Sequence, residues 1–526
     1  MQHKRNFNLA LPFINCAERH PERVALVVDG KEVRYRELAG KAARLAAWLV
    51  GRRRSGRVGV LATRSIEAYA GILGACMAGS TYVALNQKWP AERLITLFGL
   101  LDLDALIVDR NGAALLTPEV RAAAPELIIA PDAGSAGEAG GTPLVSLDNL
   151  EIEPLRDAVE VGPYDPGYII FTSGTTGLPK GVVISAGSLD CYLEESRRWT
   201  QLAPEDRVAE AHDITFDLSV HNLFLTLEAG ASLHVMPALA LMAPAHFIRS
   251  HAVTAWMSVP TIATMMSRSG ALKPGLFGAL RLSIFCGEPL PVATAQAWAA
   301  AAPNSVVENI YGPTECTVVM LRQRLTEPPT VTDGRGTLAI GTPFSSGKAA
   351  ILGPDRRPVA DGEPGEIALC GPQVGIGYFA APEQTEARFC EIGCERWYLT
   401  GDLGLKDADG VFHHLGRIDN QVKVKGNRIE LEEVEAHLRT ASGSDLVAVV
   451  AWPIQDGTPQ GLVGFVVGAG FAPEAIRERM WRTLPRYMTP DTIHLRDALP
   501  VNVNGKVDRR ALRETLEEVR RERLLA

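Results

Sequence analysis

A chain of 526 residues is too long for one ordinary hydrophobic core, so several subdomains are expected. With 61 acidic against 53 basic residues the formal charge is −8, which gives no global electrostatic reason to bind nucleic acid or an anionic membrane. A composition of 46% hydrophobic and 22% charged residues is that of a globular protein and excludes bulk disorder.

The chain opens MQHKRNFNLALPFINCAERHPE, with no apolar run long enough for a signal peptide, and its eight cysteines are scattered, so reduced thiols and a cytoplasmic location are expected. The apolar runs VALVV (24–28), VGVLA (58–62), YVAL (82–85), ALIV (105–108) and LIIA (127–130) read as strands. Between them, YRELAGKAARLAAWL (35–49) repeats its apolar residues at helical spacing. This alternation predicts an α/β fold with mostly parallel sheets. The longest uncharged stretch, Ala68 to Gln87, breaks at Gly79-Ser80 into a helix and a strand, so it is read as buried and not as a membrane span. PDAGSAGEAGGTP (131–143) reads as a surface loop.

FTSGTTGLPKG (171–181) follows the apolar YII. Its glycines, hydroxyls and single lysine leave many backbone N–H groups and one positive charge free to face a polyanion, so a phosphate chain is the suspected ligand, although the order of residues is not that of a Walker A loop. Cys390 and Cys394, in CEIGC, lack a second ligand pair and are read as incidental thiols. Near residue 416 charge becomes dense. After Glu430 the pattern turns helical, with Leu431, Val434 and Leu438 on one face and Glu432, Glu433 and Glu435 off it. A domain of residues 419–526 is expected to follow one of 1–418, with Lys506 exposed in an Asn-Gly turn.

Four further segments are NIYGPTE (309–315), WYLTGD (397–402), GRIDNQVKVKGNRIELEEVE (416–435) and NGKVDR (504–509). Each alone reads as a turn, a helix cap or a charged strand. Together, in this order, the series resembles the adenylate-forming superfamily of acyl-CoA ligases, luciferases and nonribosomal peptide synthetase adenylation domains. VRYRELAGKAARLAAWL (33–49) and GEPGEIALCGPQVGIGYFAAPEQTEARF (362–389) extend the resemblance over nearly the whole chain. YVALNQKWPAERL (82–94) departs from it, with Ala84, Asn86 and Gln87 where proline and Asp-Pro are usual.

The resemblance implies a large N-terminal domain of layered α/β subdomains and a small mobile α+β C-terminal domain, with ATP and Mg²⁺ as cofactors. Thr172, Ser173, Gly174, Thr175, Thr176 and Lys180 would cradle the β- and γ-phosphates, Thr314 the α-phosphate, and Glu315 the metal, a hard cation that prefers oxygen ligands. Tyr311 and Gly312 would line the adenine site. Asp402 would accept the ribose hydroxyls, and Arg417 and Lys423 would contact the nucleotide. Lys506 would bridge substrate carboxylate and nucleotide during adenylation, and Asp419 would be the hinge.

FDLSV (216–220) discriminates the acid. In amino-acid-activating members the aspartate of FDxS binds the α-ammonium group, and Asp217 matches, against the simpler reading that it caps a helix starting at Leu218. The remaining pocket positions implied are Leu218, His221, Met257, Ile284, Cys286, Gly287, Ile310, Val318 and Val319. They suggest a small or medium uncharged amino acid, with His221 read as a satisfied wall histidine. IFCGEPLP (284–291), FDLSV and NIYGPTECTV together resemble D-alanine:D-alanyl carrier protein ligases and prolyl-carrier enzymes; D-alanyl ligases have a cysteine at the position of Cys286, which is read as a small hydrophobe shaping the pocket. D-alanine, L-alanine, glycine and proline stay open, as do serine and threonine because of His221. No Gly-Gly-[His/Asp]-Ser segment follows Lys506, so the phosphopantetheine thiol is expected on a separate carrier protein. The alternatives are an acyl- or aryl-CoA synthetase and an inactive protein that keeps the fold. A monomer without nucleic-acid or membrane partners is expected.

Overall fold

The computed structural model describes residues 5–52, 54–130, 144–147, 150–174, 179–455, 458–468, 470–500 and 507–525. Thr175, Thr176, Lys506 and the loop expected at 131–143 lie outside the described residues. The chain forms two compact units: a larger one of Met1–Gln87, Leu97–Phe171 and Gly181–Ile418, and a smaller one of Lys88–Thr96, Thr172–Lys180 and Asp419–Ala526.

The larger unit is built on two mostly parallel sheets. In the nine-stranded sheet, Arg207–Glu210, Ala255–Ser258, Leu282–Cys286 and Val306–Tyr311 are successive parallel neighbours, and antiparallel strands occupy the edges. In the eight-stranded sheet, Arg57–Leu61 lies between Thr81–Ala84 and Ala105–Val108, all parallel. These central strands are buried on both faces, which is why they read as continuous apolar runs without alternation. The stretch after Ala68 divides as expected. Helix Ile66–Met77 ends at Gly79, whose φ of +67° is the left-handed stop that glycine adopts without strain, and strand Thr81–Ala84 follows.

Register decides which side chains of the nine-stranded sheet share a face. Met257 stands opposite Ile284, and Cys286 opposite Ile310, so these four point to one side. Trp256 and Phe285 point to the other, where both pack on Trp298 with ring centroids 5.9 and 5.2 Å away. A five-stranded antiparallel sheet completes the unit, with Glu395–Lys406 and Phe412–Arg417 paired so that Asp402 faces Arg417.

In the smaller unit, helix Leu431–Ser442 buries Leu431, Val434 and Leu438, as its spacing predicts, in one cluster with residues of the three-stranded sheet of Val447–Ala451, Leu462–Val467 and Thr492–Arg496. Two glutamates read as off the apolar face are also buried. Glu433 pairs with Arg93 at 2.9 Å, and Glu435 with Arg509 at 2.7 Å while accepting the Val449 N–H. Buried carboxylates are tolerated where charge-assisted partners meet them, and helical periodicity carries no record of such partners. Among the described residues no helix is long and apolar enough to cross a membrane.

Candidate active site

The motifs of the larger unit converge through cross-strand pairing. Strand Val306–Tyr311 delivers the Tyr311 hydroxyl to Asp402 at 2.5 Å, and the facing strand delivers Arg417 to the same carboxylate at 2.8 Å. His414 Nε2 lies 3.4 Å from it, and Arg417 also donates to the Thr400 carbonyl at 2.9 Å. Asp402 is thus a buried carboxylate held between a phenol and a guanidinium, its geometry fixed by two strands.

After Tyr311 the chain turns too tightly for any side chain at Gly312, where a Cβ would fall 2.3 Å from the Val319 Cα. Thr314 opens the short 3₁₀ turn Thr314–Cys316, and Glu315 within it is fully buried, accepting the Tyr378 hydroxyl at 2.7 Å. Thr317 and Val318 then both take left-handed backbone angles, φ 54° and 68°, which a β-branched residue rarely adopts. Buried Gln373 braces this turn: its carbonyl accepts the Thr317 hydroxyl at 2.6 Å, and its side-chain amide donates to the Val319 carbonyl at 2.8 Å.

Asp217 stands at the N-cap position of helix Leu218–Glu228, but its side chain makes no capping hydrogen bond. One turn on, His221 accompanies it. Leu218, Met257, Ile284, Cys286, Ile310, Val318 and Val319 are all buried members of one hydrophobic cluster, and Gly287 follows Cys286 with φ +90°. Sequence reasoning missed two residues beside them. Tyr192 and Trp199, seven apart on helix Ala186–Thr200, meet His221: the Tyr192 hydroxyl lies 2.5 Å from Nδ1, and the Trp199 ring stacks with its centroid 5.9 Å away. Their spacing, two turns on one face, was the available signal. Burial holds His221 down to about 3, so its imidazole is neutral. Burial likewise raises Tyr192 well above the phenol range, against the pull of Ser196.

In the smaller unit the glycine-rich loop is already engaged at its head. The Ser173 hydroxyl donates to the Arg428 carbonyl at 2.9 Å, and the Gly174 N–H to the Glu433 carboxylate at 3.0 Å. Burial pushes the Glu433 carboxyl up, against the pull of Arg93. The Thr172 hydroxyl is buried without a hydrogen-bond partner. Lys180 begins the next strand, Lys423 is exposed on strand Gln421–Val424, and Asp419 accepts the Gln421 N–H at 3.2 Å.

Residues 13–379 match the family described as AMP-binding enzyme. The chain is 31% identical over 515 residues to an L-proline--[L-prolyl-carrier protein] ligase of Pseudomonas fluorescens, covering 95% of the chain and 97% of that protein. It is 30% identical over 513 residues to a D-alanine--D-alanyl carrier protein ligase of Bacillus cereus, covering 94% and 96%. Identity to tyrocidine synthase 3 of Brevibacillus parabrevis is 32% over 527 residues, 97% of the chain, but the chain spans only 8% of that protein's length. Among solved structures, the Vibrio cholerae adenylation domain AlmE in complex with glycyl-adenosine-5'-phosphate superposes with a TM-score of 0.87 at 30% identity, covering 98% of this chain and 99% of that one. The expected fold, a large α/β N-terminal part with a smaller C-terminal domain, is that of acyl-adenylate-forming enzymes. The chain belongs to the AMP-binding enzyme family.

Proposed function

We propose that the protein activates a small uncharged amino acid as its aminoacyl-AMP and passes it to the phosphopantetheine thiol of a separate carrier protein, with D-alanine, L-alanine, glycine and proline leading and serine and threonine retained. The observation that carries the reading is Asp217: the carboxylate of FDLSV at the start of helix Leu218–Glu228, one turn before buried His221, on the helix whose Leu218 joins the apolar cluster of Met257, Ile284 and Cys286. An ammonium group is the partner such a carboxylate suits, and an acid lacking one would be repelled.

The residues present fit ATP and Mg²⁺. Thr172 holds an unused buried hydroxyl at the head of the loop, suited to a phosphate oxygen, and Lys180 supplies charge there with Ser173, Gly174, Thr175 and Thr176. Asp402 and Arg417 would meet the ribose, Tyr311 and Gly312 the adenine, and Lys423 the nucleotide. Thr314 would hold the α-phosphate, and the Glu315 carboxylate would hold Mg²⁺, which supplies charge neutralisation on the phosphates when bound. Lys506 would steady the developing charge between carboxylate and nucleotide, with Asp419, where the smaller unit resumes, as the hinge.

Amino-acid-dependent exchange of labelled pyrophosphate into ATP tests the reading, with both alanine enantiomers, glycine, proline, serine, threonine and larger residues, and fatty and aryl acids as controls. Exchange with one small amino acid is expected. Exchange with a fatty or aryl acid alone would overturn the role of Asp217 and favour a CoA synthetase.

A further inference from the structure

Asn86 and Gln87 stand where Asp-Pro is usual in the family, and the structure uses both side-chain amides as donors, which neither an ionised aspartate nor a proline can be. Gln87 Nε2 donates to Asp109 Oδ1 at 2.7 Å. Asp109 is buried and also accepts the Gly112 N–H and the Thr63 N–H and hydroxyl, each at 2.7 Å, so the chain leaving strand Thr81–Ala84 is tied to a well-bonded carboxylate. Asn86, the preceding residue and also buried, donates from Nδ2 to the Thr215 hydroxyl at 3.2 Å. Thr215 donates in turn to Asp213 Oδ1, from its hydroxyl at 2.8 Å and from its N–H at 3.1 Å. The Phe216 N–H closes this turn on the Asp213 carbonyl at 2.9 Å, and the helix that Asp217 opens follows at once. One run of donors, Asn86 to Thr215 to Asp213, therefore ties a strand end of the eight-stranded sheet to the turn that delivers Asp217. The upstream end of the same stretch is held separately, by Arg64 Nη1 on the Glu210 carbonyl at 3.3 Å. Arg64 follows strand Arg57–Leu61, so both ties come from the carboxyl ends of adjacent parallel strands, where ligands of open α/β sheets sit.

The direction of these hydrogen bonds explains why an amide stands at position 86. The ionised Asp213 carboxylate can only accept, so the Thr215 proton goes to it and the Thr215 oxygen is left as an acceptor. An aspartate at 86 would set a second acceptor against that oxygen, whereas asparagine supplies the missing donor. We propose that Asn86 is a positioning residue for the amino acid: acting through Thr215, it fixes the turn Asp213–Phe216 and with it the place of the Asp217 carboxylate, without touching the substrate. A carboxylate must meet an ammonium group at close range, and a misplacement of about 1 Å costs about a hundredfold in rate. Asp402, Tyr311 and Arg417, the residues proposed to meet the nucleoside, are held by other strands, so loosening this tie acts on the amino acid and spares ATP.

This inference rests on the amino-acid-activating reading, and the test separates the two. Pyrophosphate exchange, with the amino acid that the wild type activates best, gives separate KM values for amino acid and ATP in the wild type, Asn86→Asp, Thr215→Val, and Asn86→Asp combined with Asp213→Asn. Urea unfolding of each variant checks the fold. Asn86→Asp is expected to raise the amino-acid KM about tenfold and to leave the ATP KM within about twofold. Thr215→Val removes the relay without adding charge and must show the same split. Adding Asp213→Asn to Asn86→Asp reverses the run, so that the Thr215 hydroxyl donates to position 86, and should return the amino-acid KM to within about threefold of the wild type. A residue that only stabilises the fold would shift the urea midpoint without this split and rescue. An unchanged amino-acid KM in Asn86→Asp and Thr215→Val, an equal rise in both KM values, or a double variant no better than Asn86→Asp overturns the inference while amino-acid activation stands. Absence of wild-type exchange with every amino acid overturns both.

Discussion

At the scale of single residues, Asp217 is the position where the proposed chemistry is most exposed to test. Asp217→Asn keeps the shape and removes the charge, so the KM for the amino acid in pyrophosphate exchange should rise about a hundredfold, the range expected when one partner of a desolvated ion pair is neutralised. An unchanged KM would remove Asp217 from ammonium recognition. His221 and His234 bear on stability. Burial lowers them from 6.5 to about 3 and about 4, respectively. The unfolded chain takes up those protons near pH 6.5 and the folded chain does not, so the histidines' stabilising effect is whole above pH 6.5 and is lost as pH falls toward 4. Urea unfolding followed from pH 7 to pH 4 should show this loss, with a shallower slope in His221→Phe, by up to ~1.4 kcal/mol per pH unit. Asp217 stands out in the sequence because FDLSV is a local motif. The partners of His221 do not, because Tyr192 and Trp199 belong to another helix and only packing brings them together.

At the scale of elements, the turn from Tyr311 to Val319 stores backbone strain that other segments must hold. Left-handed angles at Thr317 and Val318 cost about 1 kcal/mol or more each and persist only when the surroundings over-determine them. Gln373 provides that restraint from a distant loop. Gln373→Ala should lower stability by about 1–2 kcal/mol, read by urea unfolding, since the Val319 carbonyl loses its donor in a dry site. The same variant should lower amino-acid discrimination in exchange assays, because Val318 and Val319 lie on that turn. A variant as stable and selective as the wild type would mean that the Thr317–Gln373 backbone contact alone suffices. The strands and helices were read with good accuracy: ALIV is a strand at the stated residues, and the helix read at 35–49 spans Tyr35–Val50. The turn was not, since YGPTE also reads as a common cap and nothing in it names Gln373.

At the scale of the whole molecule, the order of motifs from the glycine-rich loop to NGKVDR carries the proposed division of labour. Lys506→Ala should reduce amino-acid-dependent exchange at least a hundredfold while leaving the urea unfolding curve in place, because the lysine is expected in an exposed turn. Undiminished exchange would remove it from the adenylation step. By itself the sequence determined the α/β class, the parallel central strands and the family, because apolar runs of strand length and motifs of fixed order are local in the chain. Only the tertiary structure decided which side chains meet. It set Tyr192 on His221, placed Arg417 and Tyr311 on Asp402, and buried Glu433 between Arg93 and the Gly174 N–H. Periodicity records that a residue faces inward, but the group it faces comes from register and from packing between elements distant in sequence.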